Sequence, residues 1–223
     1  MNAVEMQYDF DVKVRAHKKL SGIHISSSDI QMHLNAAQED LMRKHSALYY
    51  KEQESRKYLE KLVRTVTKDN TFTFTDTTNL PNGLYISLPT DVKYNLMERI
   101  TQTDGTTVYD SRVEEITTLY YNLNYSNPFK YPYKDMCWRL SYGLDNTSTP
   151  AMVHQLIIPS GFTFQLYRLS YICYPTIIDI PTNTTCQLDA TVHPELVRIA
   201  VELAAQTYST SHTMAEEKVG KEI

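Results

Sequence analysis

The chain has 223 residues, 42% hydrophobic and 22% charged, which suits one compact domain or one domain with a sizeable insertion and excludes wholesale disorder. A formal charge of −4 and a pI near 6.0 argue against a protein whose main task is gripping nucleic acid, since such domains gather a basic excess on one face. No run approaches the roughly 18 apolar residues of a membrane span, and Met1–Phe10 lacks the apolar core of a secretory signal.

The segment from Met6 to Arg15 reads two ways. Tyr8, Phe10, Val12 and Val14 alternate with charged residues, as in a strand, while Met6, Phe10 and Val14 share a helical face. A clear helix begins at Ser28, where Ser28 and Gln31 have the spacing of a capping box and Asp29 suits the helix dipole. Ile30, Leu34, Ala37, Leu41 and Leu48 form its apolar stripe, with Gln31, Asn35, Gln38, Glu39 and Arg43 on the opposite side. A second helical run is expected from about Lys51 to Lys68, with Tyr58, Leu59, Leu62, Val63 and Val66 on its apolar face. No Gly or Pro separates the two, so one continuous or gently kinked helix is also compatible with the sequence.

From Thr71 the pattern turns to strands. Thr71–Thr75 alternates, Pro81-Asn82-Gly83 marks a turn, and Leu84–Leu88 follows as a strand. The run Val92 to Ile100 alternates and pairs across an Asp104-Gly105 turn with Thr106 to Tyr109; Val113–Ile116 is a further short strand. Thr117 caps a short helix ending near Tyr125, before Pro128 and Pro132. Met136–Tyr142, Met152–Ile158 and Phe162–Tyr174 complete an antiparallel β-rich region with uncertain pairing, the last two joined by Pro159-Ser160-Gly161. His193-Pro194-Glu195 opens the closing helix, whose stripe is Leu196, Ile199, Ala200, Leu203 and Ala204. Ser209 to Ile223 is polar and aperiodic, a tail expected to be disordered alone and able to order on a partner.

No P-loop, dinucleotide fingerprint, nucleophile elbow or H-E-x-x-H is present. His33 and His45 are twelve residues apart, about 18 Å along a helix, and cannot share a metal. Like His17, His24, His154, His193 and His212, they are read as structural or solvated. Cys137, Cys173 and Cys186 have no metal-ligand spacing and read as buried reduced thiols. Glu114-Glu115 and Glu216-Glu217 are sequence neighbours that point apart in regular structure, and no base is evident for Cys137. The reading is a non-enzyme with no catalytic, cofactor or metal site. The abundance of Tyr, 17 against 6 Phe and 1 Trp, fits both strands and protein interfaces.

Asp29-Ile-Gln-Met-His-Leu-Asn-Ala-Ala-Gln38 resembles the E-I-x-x-x-L-N-x-A-Q helix start of neck proteins from crAss-like tailed phages. Glu54 to Val63 is similar to the basic-then-Leu continuation found there. Asn127-Pro128-Phe129-Lys130-Tyr131-Pro132 precedes a Trp138-Arg139-Leu140, and Cys186 to Val201 resembles that family's closing C-x-L-x-x-x-x-H-x-E-I-V-x-x-A-V helix. Pro194 inside the closing motif and Asp29 in place of Glu depart from the pattern. The resemblance implies a helix at Met6 to Arg15 and an α+β fold. Its parts are an N-terminal helical part at 1–70, an inserted antiparallel β-domain at 71–185, a C-terminal helix at 186–208 packing on the N-terminal helices as a helical bundle, and a polar tail at 209–223.

It further implies a virion structural protein at the head–tail junction, made in the host cytoplasm. This would be a portal adaptor ring of about twelve subunits, touching the portal and other neck or tail rings, with genomic DNA passing non-specifically through the lumen. The alternatives are a more distal neck ring or tail-hub protein and, in a different class, a carbohydrate-binding attachment module in which exposed Tyr and Trp138 stack on sugars.

Overall fold

A computed structural model describes residues 1–17, 20, 24–69, 73–74, 84–127, 129–143 and 152–219, with side chains throughout these except at 73–74, 142–143 and 209–219. The helices are α1 (Ala3–Ala16), α2 (Ser27–Leu48), α3 (Gln53–Leu59), α4 (Thr118–Asn124) and α5 (His193–Val219). The strands are β1 (Val63–Asp69), β2 (Thr73–Phe74), β3 (Leu84–Ser87), β4 (Val92–Thr103), β5 (Val108–Glu115), β6 (Met136–Gly143), β7 (Met152–Ile157) and β8 (Thr163–Cys173). The fold is mixed α+β. Two compact units divide it: one formed by Met1–Leu62 with Pro175–Ile223, the other by Val63–Tyr174.

In the discontinuous unit, helix wins the ambiguity at Met6–Arg15. Asn2 accepts from the Glu5 amide while the Glu5 carboxylate accepts from the Asn2 amide, a closed capping box, and Ala3, Met6, Phe10 and Val14 are buried. Helix α2 starts earlier than the Ser28 box predicts. Ser26 is the N-cap, its hydroxyl accepting from the Asp29 amide (3.2 Å) and donating to the Asp29 carboxylate (2.8 Å), while Ser28 is exposed. The bond to Ser26 is also the main reason the Asp29 carboxyl sits below its usual pKa.

The polar side of α2 is not simply solvated. Asn35 bonds both the N–H and the C=O of Ile178, Gln31 accepts from the Ile180 amide, and the buried Gln38 donates to the Thr176 carbonyl. These amides, spaced to recur on one helix face, satisfy a backbone segment that has almost no regular ladder of its own.

The expected helix from Lys51 to Lys68 ends early. Helix α3 stops at Leu59, a 3-10 turn occupies Glu60–Leu62, and Val63–Asp69 is strand β1, paired antiparallel with β8. Val63, Thr65, Val66 and Thr67 are β-branched and fit a pleated edge better than a helix interior. Helix α5 opens at His193 as expected, but its backbone runs on to Val219, so the polar tail is helical over most of its length. Its buried residues among those described end at Ala205.

The β-rich unit is one eight-stranded sheet in the order β1-β8-β4-β5-β6-β7-β3-β2. The Asp104-Gly105 turn joins β4 to β5 as expected, with Gly105 at φ 93° and Asp104 accepting from the Thr106 and Thr107 amides. The predicted strand at Val113–Ile116 is the end of β5. The Pro81-Asn82-Gly83 turn and Thr71, Phe72 and Thr75 lie outside the described residues, as does Pro128. The expectation of a purely antiparallel region fails at one place: β5 and β6 pair in parallel. A parallel pair needs a crossover, and residues 116–135 provide it, carrying α4 with Thr117 as its N-cap.

The sheet must curl. β1 ends at Asp69 and β2 begins at Thr73, on opposite edges of the sheet. Four Cα steps span at most about 14 Å, whereas seven strand spacings in a flat sheet would separate them by about 34 Å. In β8 the buried positions change phase, from Phe164 to Tyr167, Leu169 and Tyr171, because the register with β4 slips between Thr101 and Gln102. On the outer face of β6, Trp138 and Leu140 pack with Ile116 and Ile157 beneath α4, Tyr120 and Tyr131 meeting Trp138 edge-on at 5.5 and 5.7 Å.

Replacing the observed cap, Ser26→Ala, is expected to cost about 1 kcal/mol of stability, while Ser28→Ala costs less than about 0.5 kcal/mol. Urea denaturation of both variants checks this, and equal losses would move the cap back to Ser28.

Candidate functional site

The histidines separate by environment. His24 is exposed and His17 half-buried, whereas His33, His45, His154 and His193 are buried; the His212 side chain lies outside the described residues. Burial is the largest cause holding each of these four buried imidazoles below its ordinary pKa. Among the described residues no group of three or more His, Cys, Asp or Glu side chains converges to hold a metal ion. Cys137, Cys173 and Cys186 are buried and free, and burial pushes the Cys137 thiol up to about 12, the reverse of what a nucleophile needs. Glu114 and Glu115 diverge: Glu114 stays exposed, and Glu115 reaches Arg139. Glu216 and Glu217 have no described side chains.

The curl of the sheet brings together a cluster that sequence reading did not find. Glu98 on β4, Arg139 on β6, His154 on β7 and Tyr167 on β8 meet on its inner face, each side chain less than 10% exposed. Arg139 Nη1 donates to His154 Nε2 at 2.6 Å, which assigns the imidazole proton to Nδ1. That N–H faces Tyr167 Oη at 3.1 Å, and the phenol donates to Glu98 Oε2 at 2.9 Å. Arg139 Nε closes the loop 3.3 Å from Glu98 Oε2, and Nη2 reaches the exposed Glu115 carboxylate at 2.6 Å. Burial, reinforced by the Arg139 charge, holds His154 neutral with a pKa pushed down to about 3. Burial also raises the Glu98 carboxyl, against the opposing pull of Arg139. This geometry passes hydrogen bonds between strands but presents no reacting atom to a substrate. Its work is to tie β4, β6, β7 and β8 together. The signal available in sequence was weak: ionisable residues at strand positions whose neighbours two away, such as Ile100 and Leu169, are apolar.

The surface features are apolar and aromatic. Helix α4 exposes Leu119 and Leu123, one turn apart, together with Tyr120, and the following turn exposes Tyr125, Phe129 at 96% and Tyr133. Beside them lies a recess of about 720 Å³ lined by Tyr121, Tyr125, Tyr131, Tyr133, Pro159 and Phe162. In the other unit, α1 exposes Val4, Tyr8 at 72% and Val12 along one line, opposite the face it buries. Trp138, expected as a sugar-stacking ring, is 1% exposed and closed over by Tyr120 and Tyr131, so it offers no face to a carbohydrate.

The described residues thus combine a buried polar network on the sheet with exposed apolar stripes on α1 and α4. The chain belongs to the crAss phage tail ring protein 3/4 family, which it matches over residues 1–216. It is also similar to ring protein 4/5 of Bacteroides phage crAss001, 28% identical over 137 residues, or 54% of each chain. The chain thus spans about half the length of that curated relative within the matched region. The family is one of structural phage virion ring proteins, not enzymes, and no described helix is long and apolar enough to cross a membrane.

Removing Arg139 alone, by Arg139→Met, is expected to cost about 3–5 kcal/mol because Glu98 is left buried and uncompensated. The Glu98→Gln, Arg139→Met double variant should lose less than the sum of the single losses; additive losses in a denaturation cycle would show that the two groups act independently. The depressed His154 pKa also gives a pH dependence. Between the unfolded value near 6.5 and the folded value of about 3 the unfolded state binds the extra proton, so stability falls as pH falls through that window. The contribution over the whole window is bounded at about 5 kcal/mol. Denaturation midpoints from pH 7 to 4 should drop less steeply in His154→Gln than in the parent chain.

Proposed function

We propose that the chain is the repeating subunit of a head–tail connector ring, joining the portal side of the virion to the tail and leaving a lumen through which the genome passes. Its membership of the tail ring family over residues 1–216 carries this reading. A ring of roughly twelve copies fits the symmetry of closed homo-oligomers. The uncovered stripes on α1 and α4 supply apolar surface of the kind such assemblies bury. A net charge of −4 suits a lumen that lets DNA slide rather than holding it.

In this reading the N-terminal helices and α5 act as one bundle that docks on a neighbouring ring. The end of α5 beyond Tyr208, helical in backbone to Val219, is assigned to contact with the next ring or the portal. Within the neck, a ring further from the portal is the second reading. It is favoured by the numbering in the family description, 3/4, and in the relative's name, 4/5, taken as positions in a series.

Purified chain examined by negative-stain microscopy and native mass spectrometry is expected to form closed rings, alone or on addition of portal. A strictly monomeric particle in both conditions would remove the connector reading. Cross-linking in virions separates the two positions, because only a portal-proximal ring links directly to portal. Truncation after Tyr208 is expected to leave the melting temperature within about 2 °C of the parent while reducing binding to the adjacent ring. Unchanged assembly and binding would show that the last turns of α5 play no part.

A further inference from the structure

A ring made of one kind of subunit repeats a heterologous contact, in which two different patches on the same chain meet around the circle. The structure carries two such patches, one on each unit. On α1, Val4, Tyr8 and Val12 recur every four residues and stand in solvent, although the same 14-residue helix buries Ala3, Met6, Phe10 and Val14 on its other side. A helix with one apolar stripe is explained by its own unit, but this one has a second stripe that stays about half or more exposed. On the β-rich unit, Leu119 and Leu123 of α4 are uncovered in the same way and are continued by Phe129.

The flanking charges are complementary. Glu5 and Asp11 border the α1 stripe and Arg15 lies one turn beyond Val12, a net negative edge, whereas the surface around α4 carries Lys130 and Lys134 with Asp135 after them, a net positive one. Both lysines are exposed. Two copies of the α1 stripe crossing antiparallel at Tyr8 would set Glu5 against Asp11, and two copies of the α4 surface would oppose the same net positive charge, which disfavours a symmetric pairing of either patch with itself.

We infer that the exposed stripe of α1 in one copy packs against the α4 surface, with Leu119, Leu123 and Phe129, of the next copy, and that this is the contact repeated around the ring. The occupant of each patch is therefore a second copy of this chain. The inference rests on the ring reading above and adds to it the faces that meet.

The test uses full-length chain and two single variants, Tyr8→Cys and Leu123→Cys, carrying different tags. The native thiols at Cys137, Cys173 and Cys186 are buried, so a short bismaleimide reports on the introduced pair. Mixed before assembly, the two variants are expected to give a cross-linked species carrying both tags, and each variant alone none. Rings that form normally with no mixed product, or that give a product with either variant alone, overturn this contact while leaving the ring reading standing. A parent chain that forms no ring overturns the ring reading and this contact together. As an independent measure, Tyr8→Asp and Leu123→Asp should each lower the assembled fraction by about tenfold or more with an unchanged circular dichroism spectrum and melting temperature. Full assembly in both variants overturns the contact.

Discussion

The parallel pairing of β5 with β6 is the constraint from which the rest of the β-rich unit follows. Two antiparallel neighbours need only a turn, as Asp104-Gly105 supplies between β4 and β5. Parallel neighbours require the chain to travel back along the sheet. That return is the segment 116–135, and it has to lie on a face of the sheet. It covers Trp138 and Leu140, which buries the outer face of β6, and in doing so it raises α4 and the Tyr-rich turn to the surface. The same connection thus finishes the core on one side and presents Leu119, Leu123 and Phe129 on the other.

On the inner face, the curl substitutes a polar cluster for what would otherwise be apolar packing. Buried ion pairs seldom add stability over well-packed hydrocarbon, because desolvation offsets the Coulomb attraction. Their better attested effect is to penalise wrong arrangements. A slip of one residue in β4, β6, β7 or β8 would turn Glu98, Arg139, His154 or Tyr167 away from its partners and leave the others buried without them. The register of a wide sheet whose strand order departs repeatedly from chain order is thereby fixed by side chains as well as by turns.

Most of the elements were legible in the amino-acid sequence, and the misses have particular causes. The closing helix, the Thr117 cap and the hairpin at Asp104-Gly105 depend on local chemistry and were readable. Val63–Asp69 was misread because Leu59, Leu62, Val63 and Val66 have helical spacing, and only the partner strand β8 decides the matter. Ser28 reads as the cap because Gln31 completes a box pattern, whereas in the structure the Asp29 amide and carboxylate both engage Ser26. The parallel pair and the buried cluster depend on contacts between residues far apart in sequence, such as the 69 residues separating Glu98 from Tyr167, and no local pattern encodes them. The exposed stripe on α1 was partly visible: the strand-like alternation of Tyr8 and Val12 with Phe10 and Val14 is the mark of a helix apolar on two sides.

The discontinuity of the helical unit sets an order of events during synthesis. The β-rich unit is contiguous and can fold as soon as Tyr174 has left the ribosome. The helical unit cannot be completed then, because α1 and α2 wait for α5, about 130 residues behind α3. At bacterial translation rates that is a delay on the order of ten seconds. During it the parts of α1 and α2 that α5 covers have no native partner, a window in which a nascent chain is open to chaperones and to misassociation with its neighbours on the same message. The amides of Gln31, Asn35 and Gln38 engage 176–180 first, and so begin closing that window before α5 itself emerges.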